Sequence, residues 1–157
     1  MKQTDYELLC KQTEAAKTEY LLSFLCNVTA VLNDSMEGLN WVGFYFVKDG
    51  KLILGPFQGK VACVEIAKGK GVCGTAWEKD ETILVPDVHQ FPGHIACDSA
   101  SNSEIVIPLH KDEEVIGVLD IDSPLYERFD ENDRTGLERI AAIIEDTIQN
   151  IPSSELI

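Results

Sequence analysis

Glu104-Ile105-Val106-Ile107-Pro108-Leu109-His110-Lys111-Asp112-Glu113-Glu114-Val115-Ile116-Gly117-Val118-Leu119-Asp120-Ile121-Asp122 is two long apolar runs broken by the charged turn Lys111-Asp112-Glu113. That pattern predicts a β-hairpin. In its second strand Asp120 and Asp122 fall on one face, and Leu119 and Ile121 fall on the other. Upstream, Trp41-Val42-Gly43-Phe44-Tyr45-Phe46-Val47 and Leu52-Ile53-Leu54 flank Asp49-Gly50, a second hairpin. A third strand is expected over Val61 to Ile66, then a glycine-rich turn, a short helix around Thr75 to Lys79 and a short strand from Thr82 to Val85. Thr4 and Glu7 have capping-box spacing, and apolar residues then recur at three- and four-residue steps to Leu32, so one long helix or two consecutive helices open the chain. Asp130 is a fitting N-cap for a closing helix marked by Leu137, Ile140, Ala141, Ile144 and Ile148. The expected fold is α+β, a mostly antiparallel central sheet flanked by N- and C-terminal helices, in a single domain over residues 1–157.

The composition narrows the partners. Thirteen Lys and Arg stand against 27 Asp and Glu, a net charge of -14, and such a surface repels phosphate backbones and anionic headgroups. No nucleic acid and no membrane partner is expected. The residues MKQTDYELL carry Asp5 and Glu7 where a secretory signal would be basic and then apolar, so the expected compartment is the cytosol. There the five cysteines are not a disulfide framework. Cys10 and Cys26 lie in the helical stretch and are expected to pack as small hydrophobes.

Three constellations invite a chemical reading. Gly69-Lys70-Gly71-Val72-Cys73-Gly74 spells G-x-G-x-x-G, with Asp87 beyond it, but the helix after it is too short for a crossover and hairpins replace the βαβ repeat. Its glycines fit a tight turn and close backbone approach better. Cys63, Cys73, His94 and Cys97 could supply a zinc site, yet only His94-x-x-Cys97 is a close pair, so no metal and no cofactor is expected. Thiol redox chemistry fits better. Cys63 ends the expected third strand, Cys73 follows a glycine turn, and Cys97 sits in Pro86–Asn102, a 17-residue stretch without periodicity. Disulfide exchange needs one sulfur on a segment that can move to meet another, which Cys97 satisfies. From Asp80 to His110 there is no Lys or Arg, and all three histidines fall there.

Leu39-Asn40-Trp41-Val42-Gly43-Phe44-Tyr45, Gly55-Pro56-Phe57-Gln58-Gly59, Gly71-Val72-Cys73-Gly74, Asp87 through Asp98, Ser103 through Pro108 and Gly117 through Pro124 together resemble the free methionine-(R)-sulfoxide reductases, which are GAF-fold enzymes. The resemblance implies a GAF-like domain that reduces the R epimer of free methionine sulfoxide to methionine. It implies a cysteine sulfenic acid, an intramolecular disulfide and thioredoxin as final reductant, with no bound cofactor; a homodimer is left open. By motif match Cys97 is the nucleophile, Cys63 its resolving partner and Cys73 a secondary thiol. Trp41, Tyr45, Asp87, Glu104, Asp120 and Asp122 fall at substrate-binding positions, and Glu104 and Asp122 also at catalytic ones.

The residues fit this chemistry. Sulfoxide reduction needs a proton on the departing oxygen, and carboxyls crowded in a partly dry pocket have the raised pKa that supplies one. Glu104, Asp120 and Asp122 stand on facing strands and could hold the ammonium of a free amino acid as well. Trp41 and Tyr45 share strand parity and could wall the thioether methyl. Amides of the loop from Gly93 to Asp98 could receive the substrate carboxylate. Asp98 beside Cys97 works against a reactive thiolate, so activation must come from substrate, amides or His94. A non-catalytic GAF-type sensor of a small ligand and a thiol peroxidase are the rival readings.

Overall fold

In the computed structural model, residues 1–94, 97–152 and 155 are described. The chain runs α1 (Tyr6–Ala15), α2 (Leu21–Ser35), β1 (Trp41–Lys48), β2 (Lys51–Gly59), β3 (Glu65–Ala67), α3 (Gly71–Lys79), β4 (Ile83–Val85), a 3-10 turn (Val88–Gln90), β5 (Ser103–Lys111), β6 (Glu114–Ser123) and α4 (Glu131–Ile148). The six strands form one antiparallel sheet in the order β3-β2-β1-β6-β5-β4. The α+β architecture is the expected one, with two opening helices and a closing helix on one face.

Strand parity divides the sheet into two chemistries. Val42, Phe44 and Phe46 of β1, Ile105, Ile107 and Leu109 of β5, and Leu119 and Ile121 of β6 point into a core with α1, α2 and α4. Their neighbours Trp41, Tyr45, Val106 and Val118 face the opposite side, where α3 contributes Val72, Cys73, Ala76 and Trp77. The buried side of the helical layer is mainly apolar, from Leu21, Phe24, Leu25, Val28 and Leu32 on α2 to Leu137, Ile140, Ile144 and Ile148 on α4. Burying a side chain of this size contributes roughly 1.5–3 kcal/mol, so this face anchors the sheet and frees the other for a site. Asp130 caps α4 as expected, in a reciprocal capping box with Asp133.

Four local expectations are corrected. Asp5, not Thr4, caps α1, its side chain accepting from Leu8 N at 3.1 Å. Residues 61–64 are not strand. The carbonyls of Lys60 and Cys63 accept from Trp41 Nε1 (3.1 Å) and Tyr45 Oη (2.9 Å), so side chains take acceptors that a ladder would use. Helix α3 begins at Gly71, four residues earlier than expected, which puts Cys73 in its first turn and buries it. Cys26 is exposed on α2 while Cys10 is buried. The glycine turn behaves as a turn: Gly69 and Gly71 have positive φ, and a Cβ on Gly74 would stand 2.5 Å from the Ala67 carbonyl oxygen.

Candidate active site

The face of the sheet away from the large helices carries a pocket whose floor is strand and whose walls are α3 and the 86–102 segment. Register places its acids: Glu104 pairs with Asp122, Val106 with Asp120, Gly43 with Asp120 and Trp41 with Asp122. Glu104, Asp120 and Asp122 therefore meet at the centre of the sheet, on the polar side of β5 and β6. Glu104 and Asp120 are each 6% exposed. Asp122 is half-buried. Trp41, Tyr45, Cys73, His94, Cys97, Asp98 and Ser101 line the same pocket.

This is an expensive arrangement for a fold to keep. Burial pushes the Glu104 and Asp122 carboxyls well above the ordinary carboxylate range, with the Asp120 charge adding to both, and burial raises Asp120 too. Oδ1 of Asp120 and Oδ1 of Asp122 are shielded from solvent and accept no hydrogen bond among the described residues. Buried acceptors left unpaired cost roughly 1–3 kcal/mol each, so a donor-rich cation is the natural complement of this floor. The nearest atoms of Cys73, Glu104 and Asp120 lie within 4.8 Å of one another, a spacing that suits an ammonium or a metal ion. Cys63 and Cys97, two of the four soft ligands weighed for zinc from the sequence, are joined to each other.

That disulfide stands at the pocket edge, with a Cα–Cα distance of 5.8 Å across 34 residues of sequence. Cys97 is among the residues lining the pocket, and Cys63 is not. The aromatic wall holds Cys63 in place. Trp41 stacks between Tyr45 (5.9 Å) and Phe57 (5.2 Å), and the polar ends of Trp41 and Tyr45 bind the backbone of the segment that carries Cys63. Gly43, between the two aromatics, leaves room for this stack: a Cβ there would lie 2.4 Å from Phe57 Cβ and 2.7 Å from the Trp41 ring.

Cys73 plays a different part from the other two thiols. Burial, then the Asp120 charge, pushes its thiol well up, so it is neutral. Cys73 is buried, although its place after a glycine turn makes it one of the three thiols that the sequence singles out. His94 Nε2 lies 4.0 Å from Glu104 Oε1, and burial, then His89, lowers the imidazole pKa, so His94 is neutral as well.

The 97–101 segment is fixed by groups that sequence reasoning missed. Asn40 Nδ2 donates to Asp98 Oδ2 (2.9 Å) and to Ser101 Oγ (3.0 Å), and Ser101 Oγ donates to Asp122 Oδ2 (3.2 Å). Asp98 Oδ1 accepts from Ala100 N, the bond that chiefly holds its pKa low, so Asp98 is ionised but engaged in folding its own loop. The lone signal was the polar cluster itself, Asn40 before an apolar strand and Ser101 in an unpatterned loop. Asp87 lies outside the pocket lining and caps the 3-10 turn by accepting from His89 N at 3.0 Å. Lys70, an exposed residue outside the stretch from Asp80 to His110 that lacks Lys and Arg, lines the pocket beside Gly71 and Val72. Of the Gly93–Asp98 amides, those of Ile95 and Ala96 lie outside the described residues.

Comparison with known proteins places these features in context. A family model described as GAF domain matches residues 18–149. A relative from Escherichia coli, the free methionine-R-sulfoxide reductase, is 50% identical over 131 residues, covering 83% of this chain and 79% of its own. The structure of the fRMsr of Staphylococcus aureus in its reduced form superposes with a TM-score of 0.90 at 53% identity, covering 93% of this chain and 96% of its own. The X-ray structure of free methionine-R-sulfoxide reductase from Neisseria meningitidis in complex with its substrate superposes with a TM-score of 0.90 at 43% identity, covering 95% and 93%.

Proposed function

Because this chain belongs to the free methionine-R-sulfoxide reductase family of GAF domains, we propose that it is an oxidoreductase that converts free L-methionine-(R)-sulfoxide to L-methionine. The observation that carries this reading is the placement of a disulfide-bonded cysteine pair beside a pocket floored by three adjacent carboxyls, Glu104 and Asp120 buried and Asp122 half-buried. A ligand sensor has no need of the first feature, and a peroxidase has no need of the second.

The Cys97 thiolate attacks the sulfoxide sulfur as a protonated carboxyl of the floor gives its proton to the oxygen. The protonated oxygen then moves to Cys97 Sγ as the new Sγ–S bond and the S–O bond break, leaving a sulfenic acid and releasing methionine. Cys63, held across the rim by the Tyr45 bond to its carbonyl, then attacks Cys97 Sγ; water leaves and the disulfide forms. A thioredoxin-type dithiol in the cytosol returns both thiols. Cys73 remains a neutral thiol against Asp120 and enters no bond in this cycle. Glu104, Asp120 and Asp122 share two tasks, holding the ammonium and supplying the proton. Trp41 and Tyr45 wall the thioether methyl, and Lys70 with the first amides of α3 receives the substrate carboxylate.

The test is an NADPH-coupled assay with thioredoxin and thioredoxin reductase, offered free methionine-R-sulfoxide, the S epimer and hydrogen peroxide separately. Turnover of the R epimer alone is expected. Turnover of peroxide alone would make the protein a peroxidase, and turnover of none would make it a sensor.

A further inference from the structure

We infer that the protein dithiol which reopens the disulfide docks on segment 61–64, where Val61 and Val64 are exposed, and forms its mixed disulfide with Cys63, not with Cys97. The inference deepens the proposed reductase chemistry and rests on it for the identity of the partner class. Its warrant is the asymmetry between the two sulfurs. Cys97 faces the pocket, next to the ionised Asp98, where an incoming thiolate meets negative charge.

Cys63 lies in a segment built like a docking strip. Val61, which also lines the lip of the pocket, is 87% exposed and Val64 is 62% exposed, so exposed apolar side chains flank the half-buried Cys63. The strip continues from the exposed Lys60 into β3, the outermost strand of the sheet, so its free side is a sheet edge. Among the described residues, the backbone N–H groups of Val61, Ala62, Cys63 and Val64 donate to no protein acceptor. Three of the carbonyls in the strip and its approach are already used, by Trp41, Tyr45 and the Leu54 N–H. A partner that lays an extended loop along this edge finds donors without a partner among the described residues, two apolar contacts and one sulfur of a disulfide together. That combination fits a dithiol protein and has no use for a small thiol.

The electrons balance as follows. A partner thiolate attacks Cys63 Sγ, the Cys63–Cys97 bond breaks, and Cys97 leaves as a thiolate that takes a proton. The partner's second thiol then attacks its own sulfur in the mixed disulfide, releasing Cys63 as a thiol. The partner ends as a disulfide and the enzyme as a dithiol.

The experiment incubates the oxidised protein with a thioredoxin whose second cysteine is replaced by serine, and maps the trapped mixed disulfide by peptide mass spectrometry. It is paired with turnover of Val64→Asp driven by thioredoxin and, separately, by dithiothreitol. Trapping on Cys63, with an about tenfold or greater loss of thioredoxin-driven kcat/KM for the reductant and unchanged dithiothreitol-driven turnover, is expected. Trapping on Cys97, or a Val64→Asp enzyme that thioredoxin reduces as well as the wild type, overturns the inference. The trap needs no sulfoxide. Failure of the reductase reading would show separately, as no methionine from the pre-reduced enzyme.

Discussion

Glu104, Asp120 and Asp122 hold acidity where water hydrates it poorly, and this has opposite consequences for stability and for activity. A carboxyl whose pKa is raised on folding binds its proton more tightly in the folded state, so its share of stability is complete at low pH and is lost as pH rises from the unfolded value toward the folded one. Glu104→Gln and Asp122→Asn remove that loss. Each is expected to raise thermal stability near neutral pH, by about 0.5–2 kcal/mol, while lowering kcat/KM for the sulfoxide by about ten- to a hundredfold as a charge-assisted contact or proton donor is lost. Chemical denaturation at pH 5 and pH 8, beside steady-state kinetics, checks both. The same raised acids predict that wild-type kcat falls on the alkaline side as the proton donor ionises. For the thiols, Cys97→Ser is expected to make no methionine in a single turnover without reductant. Cys63→Ser is expected to make about one equivalent and leave a sulfenic acid that dimedone tags; a full yield from the Cys97 variant would refute the assignment.

Within the elements, parity carried most of what could be read in advance. The alternation of Asp120 and Asp122 against Leu119 and Ile121 is enough to say that the strand has a polar and an apolar face, and register then brings Glu104 opposite Asp122. The start of α3 was hidden, because Gly71-Val72-Cys73-Gly74 has poor helix propensity and is held helical by packing against β3, β5 and β6. Residues 61–64 failed the other way: β-branched composition suggests a strand, but aromatic side chains claim its carbonyls. The Asn40–Asp98–Ser101–Asp122 chain joins residues up to 82 positions apart through a loop crossing, which no local pattern records. Two element-level tests follow. Gly43→Ala must move Phe57 or the Trp41 ring, so KM for the sulfoxide is expected to rise with fluorescence of Trp41 altered, while the helical core is untouched. His110 bridges Asp80 after α3 (2.5 Å) and Glu145 on α4 (2.6 Å), and although burial lowers its pKa, those bonds raise it overall. Its stabilisation is therefore complete below the ordinary histidine value and fades as pH rises through the folded one. For this half-exposed bridge the loss is about 0.5–1 kcal/mol, and His110→Gln is expected to flatten it in urea titrations across that range.

Over the whole molecule, the sheet separates the two demands on the chain. One face packs against three helices and supplies the stability; the other face accepts buried acids, a half-buried disulfide and loops without a ladder. The net charge of -14 surrounds both, and no retention on DNA or RNA at physiological salt is expected; binding that weakens steeply as salt rises would contradict that. No helix among the described residues is long and apolar enough to cross a membrane. The charge also frames selectivity, because an acid floor inside an acidic protein favours a ligand that brings its own cation. A free amino acid does so, and a methionine sulfoxide within a peptide does not. The most direct measurement is single-turnover methionine formation by the pre-reduced enzyme, without any protein reductant, from free methionine-R-sulfoxide and from its N-acetylated form. The free amino acid is expected to react at least about tenfold faster at subsaturating concentration, from the loss of one charge-assisted contact. Equal rates on the two would show that the buried carboxyls do not read the ammonium, and the assignment to the free amino acid would fall.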